Sequence, residues 1–174
     1  MAEFECGSLL GPFDTVDEIP LSRARFLKRI PICEAHGGAT KSTCRNIDNG
    51  LEGGQNGLTG TQYTTRPADL DAIANLTRAT CERFPNDEMM GMTSDFSKAY
   101  RQATANPKQA EYWVLVIWNP VKLSTVFAVA TAQLFGGSSA PLHFCRIPDW
   151  CCFMNARLFY AAFIHCIDDL ISVE

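Results

Sequence analysis

The feature that most limits what this chain can be is Asp168-Asp169, two adjacent acids between short apolar runs at 163–166 and 170–173. Apolar runs of this length bounded by charge read as strands, so the pair sits at the tip of a hairpin. Two carboxylates held so close resist joint ionisation, which makes the arrangement costly unless a cation shares it. Hard carboxylate oxygens suit Mg²⁺, which takes one or two protein carboxylates and fills its shell with water and substrate phosphates. An ordinary solvated acidic turn is the plainer alternative.

A third acid has a similar setting. Residues 88–96 alternate as a strand, with Met90, Met92 and Phe96 on one side and Gly91, Thr93 and Asp95 on the other. Asp95 therefore ends a strand whose second side is small, leaving space in front of its carboxylate. If this strand and the hairpin are sheet neighbours, Asp95 and Asp168 converge on one metal site. Spacing alone favours the plainer case of an acidic turn and an unrelated Asp.

The rest of the chain supplies elements around these acids. Residues 1–24 mix Gly, Pro and acids without a period and read as a loose lead-in. Strands are expected at 30–33 and 44–47, joined by the hairpin tip His36-Gly37-Gly38-Ala39-Thr40-Lys41-Ser42. A long polar loop follows at 49–66. Asp69 then starts a helix with Leu70, Ile73 and Leu76 on one face, running to about Cys81. Two β-rich runs, 112–118 and 125–129, flank the turn signal Asn119-Pro120. Gly136-Gly137-Ser138-Ser139 is a flexible turn with Ser as helix cap, and the helix after it starts near Pro141, breaks near Pro148 and ends near Tyr160.

Composition removes some function classes. A net charge of −4 argues against a protein that coats nucleic acid nonspecifically. Cations are nonetheless clustered at Arg23, Arg25, Lys28 and Arg29, then at Lys41 and Arg45, where a solvated surface is the plain alternative. No run is long enough to cross a bilayer, and Glu3 and Glu5 stand where a secretory signal would be basic. An intracellular protein, in cytoplasm or nucleus and with no membrane partner, is the expectation. None of the eight cysteines forms a CxxC pair, so they read as small buried hydrophobes. Cys33, His36 and Cys44 make only half a zinc site, because no second ligand pair follows.

Four local patterns then occur in order. Asp95-Phe96-Ser97-Lys98-Ala99-Tyr100-Arg101-Gln102 places an aromatic five residues after an Asp. Phe135-Gly136-Gly137-Ser138-Ser139-Ala140-Pro141 with Phe144 is a Gly-rich turn into a helix. Cys166-Ile167-Asp168-Asp169 is an acidic hairpin, and Arg45-Asn46-Ile47-Asp48 with Lys41 is a basic one. Trp118-Asn119-Pro120 spaces the first two. Together they resemble the motifs of reverse transcriptases over roughly residues 20–174, with most similarity to gypsy-like and tyrosine-recombinase retroelement types.

The resemblance implies an α+β fold: a fingers hairpin region over 25–87, then a partial ferredoxin-like palm over 88–174, backed by helices. It implies an RNA-directed DNA polymerase working on an RNA/DNA template-primer and dNTP, as part of a retrotransposon polyprotein. Asp95, Asp168 and Asp169 would hold two Mg²⁺ ions, with Mn²⁺ as a substitute. Tyr100 would lie under the incoming sugar, Lys41 and Arg45 would neutralise the triphosphate, and Phe135, Gly136 and Gly137 would line the nascent pair. Two departures are visible. Cys166 replaces an aromatic, and the chain ends at Glu174, so a thumb is expected to be absent and the fragment alone inactive. The rival expectations are an inactive remnant that at most binds nucleic acid, and a Cys/His metal-binding interaction module.

Overall fold

The computed structural model describes residues 2–34, 43–60, 64 and 66–173. In chain order the elements are α1 (Ala2–Glu5), β1 (Leu9–Phe13), β2 (Phe26–Glu34), β3 (Thr43–Asp48), α2 (Leu70–Arg83), β4 (Gly91–Asp95), β5 (Val114–Asn119), β6 (Ser124–Ala130), α3 (Ala140–Leu158), β7 (Phe163–Cys166) and β8 (Asp169–Val173). The architecture is mixed α and β, with two sheets and few helices. Two units share the chain: residues 1–61 with 100–140, and residues 62–99 with 141–174.

The first unit is built on a five-stranded sheet of order β1-β6-β5-β2-β3. Its β2–β5 pair is parallel and its other pairs are antiparallel. One row crosses the sheet through Leu27, Leu115 and Ala128, each the direct partner of the next. The adjacent row runs through Val114 and Val129. Because side chains alternate along a strand, the two rows face opposite ways and each seeds its own core. Leu27, Leu115 and Ala128 pack with Leu9, Ala130 and Leu134, while Val114 and Val129 pack with Ile19. β1 lies inside the segment expected to be a loose lead-in. Leu9 and Leu10 pair with Ala130 and Val129, and the register then slips before Phe13. Gly11, at φ +119°, makes that slip. A bulged five-residue strand with Gly and Pro at its centre carries almost no alternation for a sequence to display.

The β5–β6 hairpin closes through Asn119, whose side-chain carbonyl accepts from the amides of Val121 and Lys122 at 3.0 and 3.2 Å. This is the Asx turn that the Asn119-Pro120 signal announces. The β2–β3 strands pair from Arg29↔Asp48 to Glu34↔Thr43, and the expected hairpin tip, including His36 and Lys41, lies outside the described residues.

The second unit has a three-stranded antiparallel sheet of order β4-β8-β7 with α2 and α3. Asp69 caps α2, accepting from the Ala72 amide at 2.9 Å. The half-buried face of the helix includes Ile73 and Leu76 but not Leu70, which is 81% exposed. Leu70 is the first helical residue, and its side chain extends past the end of the packed face. The expected break at Pro148 does not occur, and α3 runs through it. A proline removes one helical hydrogen bond and crowds the turn before it. Here its ring is fully buried, so packing contributes against that cost.

Candidate active site

β4 pairs with β8 over its whole length, from Gly91↔Val173 to Asp95↔Asp169. Directly opposed residues of an antiparallel pair share a face, so the carboxylates of Asp95 and Asp169 start from the same side of the sheet. Asp168 stands in the two-residue turn between β7 and β8, and its carbonyl accepts from the Phe96 amide at 3.0 Å. Thus one end of one sheet carries all three acids. Asp95 and Asp169 are exposed and Asp168 is half-buried.

The turn that presents Asp168 is tight. Cys166 pairs with Asp169, leaving Ile167 and Asp168 as the loop, and Ile167 takes φ +57°. Two-residue hairpin loops require positive φ at their first position, which Gly or Asn accepts easily and a β-branched residue does not. Strain of this kind persists only where surrounding structure over-determines it. Behind the acids, Phe96 meets Phe144 of α3 edge-on, with ring centroids 5.5 Å apart at 85°. Phe144 is wholly buried, so the end of β4 is anchored to a fixed helix. On the sheet face in front of Asp95, Gly91 and Thr93 are exposed, and nothing lies within 4 Å of where a Cβ on Gly91 would stand.

The donor set is chemically suited to Mg²⁺: hard oxygens, two of them cross-strand neighbours, with open space before them. Like charges directly opposed across strands destabilise a sheet, and a cation would relieve this. Among the described residues, no three His, Cys, Asp or Glu side chains gather closely enough to form a metal cage. The acids share a sheet end, while substrate oxygens would have to complete any ion's shell.

The other candidate residues belong to the first unit. Tyr100 and Phe135 meet edge-on at 4.7 Å and 63°. Gly136 has φ +100°, and a Cβ there would lie 2.0 Å from the Asp48 carbonyl oxygen, so only glycine fits. A Cβ on Gly137 would make ordinary contacts at 3.5 Å. Asn56 fixes this turn from both sides, donating to the Gly136 carbonyl and accepting from the Ser138 amide, each at 2.9 Å. Arg45 lies in β3, opposite Ile32. Lys41 lies outside the described residues.

A buried ionic knot, for which the sequence carries no local signal, lies beside that turn. Asp48, 1% exposed, accepts from Arg29 Nε at 2.7 Å and Nη2 at 3.2 Å, and from Arg101 Nη2 at 3.2 Å. Glu3 pairs with both guanidiniums, through Arg29 Nη1 and, at 2.6 Å, through Arg101 Nη2. Burial disfavours the Arg29 cation, but hydrogen bonding and charge from Asp48, then from Glu3, outweigh it and hold its pKa above the usual value. The Asp48 amide donates to the Phe135 carbonyl at 2.9 Å, so the knot also sets the residue that meets Tyr100 edge-on. Arg29 is therefore no solvated surface cation.

No known family model and no curated protein matches the chain.

Proposed function

We propose that this chain carries the nucleotidyl-transfer centre of a retroelement reverse transcriptase, an RNA-directed DNA polymerase, on a fingers-and-palm fold. What supports this is one placement: Asp95 directly across from Asp169, with Asp168 in the adjoining turn bonded to the residue after Asp95. Asp95 and the adjacent Asp168-Asp169 pair, far apart in sequence, thus share one sheet end, in the motif order that the resemblance requires.

Asp95, Asp168 and Asp169 would hold two Mg²⁺ ions, with Mn²⁺ able to substitute. Such ions would supply Lewis-acid stabilisation of phosphoryl charge and a lowered pKa at the attacking hydroxyl. The strained Ile167-Asp168 turn and the Phe96–Phe144 contact fix where the carboxylates stand, which matters because transfer depends mainly on positioning. Tyr100, braced edge-on by Phe135, would select the deoxyribose of a dNTP sterically. Lys41 and Arg45 would neutralise its triphosphate, Arg by bidentate geometry and Lys as a point charge. Phe135, Gly136 and Gly137 would form the wall beside the nascent pair. The partners are then an RNA/DNA template-primer and the remainder of a polyprotein. No described helix is long and apolar enough to cross a membrane.

The test replaces Mg²⁺ with Fe²⁺ and generates hydroxyl radicals, which cut backbone beside a bound ion. Cuts are expected at residues 95–96 and 167–169, competed by excess Mg²⁺ and lost in Asp168→Asn. Cutting elsewhere only, or cutting indifferent to Asp168→Asn, would remove the metal site and the polymerase reading with it.

A further inference from the structure

The outward face of α3 is unusual for a solvated helix. His143, Arg146, Trp150, Phe153 and Arg157 recur at alternating spacings of three and four, which places them in one stripe along the helix. All five are exposed, Trp150 at 61% and Phe153 at 60%. The buried residues Phe144, Cys145 and Pro148 occupy the opposite side. Exposed aromatics of this size are normally placed inward, and here the inward positions are already filled. Neither Arg146 nor Arg157 makes an ion pair with any described residue.

One end of the stripe opens on a cleft of about 490 Å³, lined among others by Arg66, Arg146, Asp149 and His165. Arg66 is exposed and also lacks an ion pair among the described residues. Asp149 lies 2.8 Å from His165 Nε2, so the cleft sets two guanidiniums against one carboxylate.

Two flat aromatic faces flanked by arginines match a polymer that carries stacked bases on a line of phosphates. We infer that the α3 stripe and the Arg66–Arg146 cleft form a track for single-stranded nucleic acid. Phosphates would lie against Arg66, Arg146 and Arg157, and bases would stack on Trp150 and Phe153. From position 143 to 157 the helix advances about 21 Å, enough for roughly six nucleotides at the ~3.4 Å rise of a stacked strand. A chain of net charge −4 has no general attraction for nucleic acid, so a local track would determine where a strand lies. The track needs no contribution from Asp95, Asp168 or Asp169.

The test titrates the full chain with oligo(dT) and oligo(U) in EDTA, following tryptophan fluorescence and anisotropy, with polyphosphate as a ligand that lacks bases. Binding of both oligonucleotides is expected, with quenching that Trp150→Phe removes while largely keeping affinity. Trp150→Ala and Phe153→Ala should each weaken oligonucleotide binding about tenfold and leave polyphosphate binding unchanged. Arg146→Gln and Arg157→Gln should each lower the salt slope by roughly 0.7. Asp168→Asn should bind as the parent does, so loss of the polymerase reading would leave this result standing. Parent-like affinity in the arginine variants together with Trp150→Ala and Phe153→Ala, or in those two alanine variants alone, would overturn the track. So would sedimentation showing a dimer that Trp150→Ala and Phe153→Ala dissociate, since the stripe would then be covered by a second copy.

Discussion

Asp48 ties three distant segments of the first unit together, through Arg29, Arg101 and Phe135. It is 1% exposed, and it is the shared acceptor of two guanidiniums whose other anion, Glu3, lies at the start of the chain. Removing one partner of a buried pair leaves the other charged and desolvated, typically at a cost of about 3–5 kcal/mol. Asp48→Asn is therefore expected to lower the melting temperature by roughly 10 °C, read by circular dichroism, because each kcal/mol moves a chain of this size by a few degrees. A shift under about 2 °C would mean that water already enters the knot. Gly136→Ala should also destabilise, by about 2 kcal/mol or more, since positive φ and the Asp48 carbonyl both exclude a side chain. Cysteine chemistry gives a third expectation. Burial, then the nearby charges of Asp149 and Asp168, push the Cys145 thiol up, so little nucleophilic thiolate forms near neutral pH. Iodoacetamide at pH 8 should label exposed Cys6 and Cys81 in the native protein and Cys145 only after denaturation, as peptide mass spectrometry would show. Rapid native labelling of Cys145 would contradict its burial.

Among the elements, those with a local period were the legible ones. The β5–β6 and β7–β8 hairpins follow from short apolar runs joined by Asn119-Pro120 and Ile167-Asp168, and α2 follows from its Asp69 cap. Parallel β2–β5 pairing was not legible, because its partners are far apart in sequence and no turn encodes the register. The ionic knot was hidden for the same reason, with Arg29 26 residues from Glu3 and Arg101 53 from Asp48. Of the candidate site, the three acids could be placed because each sits at or beside a strand end, whereas Gly136 could be read as a turn but not as the point where two backbones touch. The α3 stripe is helical spacing in plain view, yet spacing alone does not say which face is buried. The sheet row through Leu27, Leu115 and Ala128 is the element most sensitive to substitution. Leu115→Ala deletes a wholly buried side chain between Leu27 and Ala128 and should cost about 2–5 kcal/mol by urea unfolding. A cost below about 1 kcal/mol would show a core able to collapse around the vacancy.

For the molecule as a whole, the two units are unequally built. The first buries Leu9, Ile19, Leu27, Val114, Leu115, Val126 and Val129, while the buried set of the second is dominated by α3, through Phe144, Cys145 and Pro148. In the second unit's sheet, all five residues of β4 are exposed and, among the described residues, that strand is paired on one flank only, with β8. Local opening free energy follows apolar contact and hydrogen-bond protection, so the strand carrying Asp95 should open far more readily than the strands carrying Val114 and Val129. Hydrogen exchange with mass readout is expected to show Gly91–Asp95 exchanging early and Val114–Asn119 late. A ligand that binds only the closed form stabilises it by RT ln(1 + [L]/Kd), which at a hundredfold excess over Kd slows exchange about a hundredfold. If the three acids hold metal and triphosphate, Mg²⁺ with a dNTP should bring that slowing to residues 91–96 and 167–170 and leave Val114–Asn119 unchanged. Asp168→Asn should abolish it. Slowing that is equal in Asp168→Asn, or that appears with the nucleotide but without any divalent ion, would place the nucleotide elsewhere and leave the acidic hairpin a solvated turn.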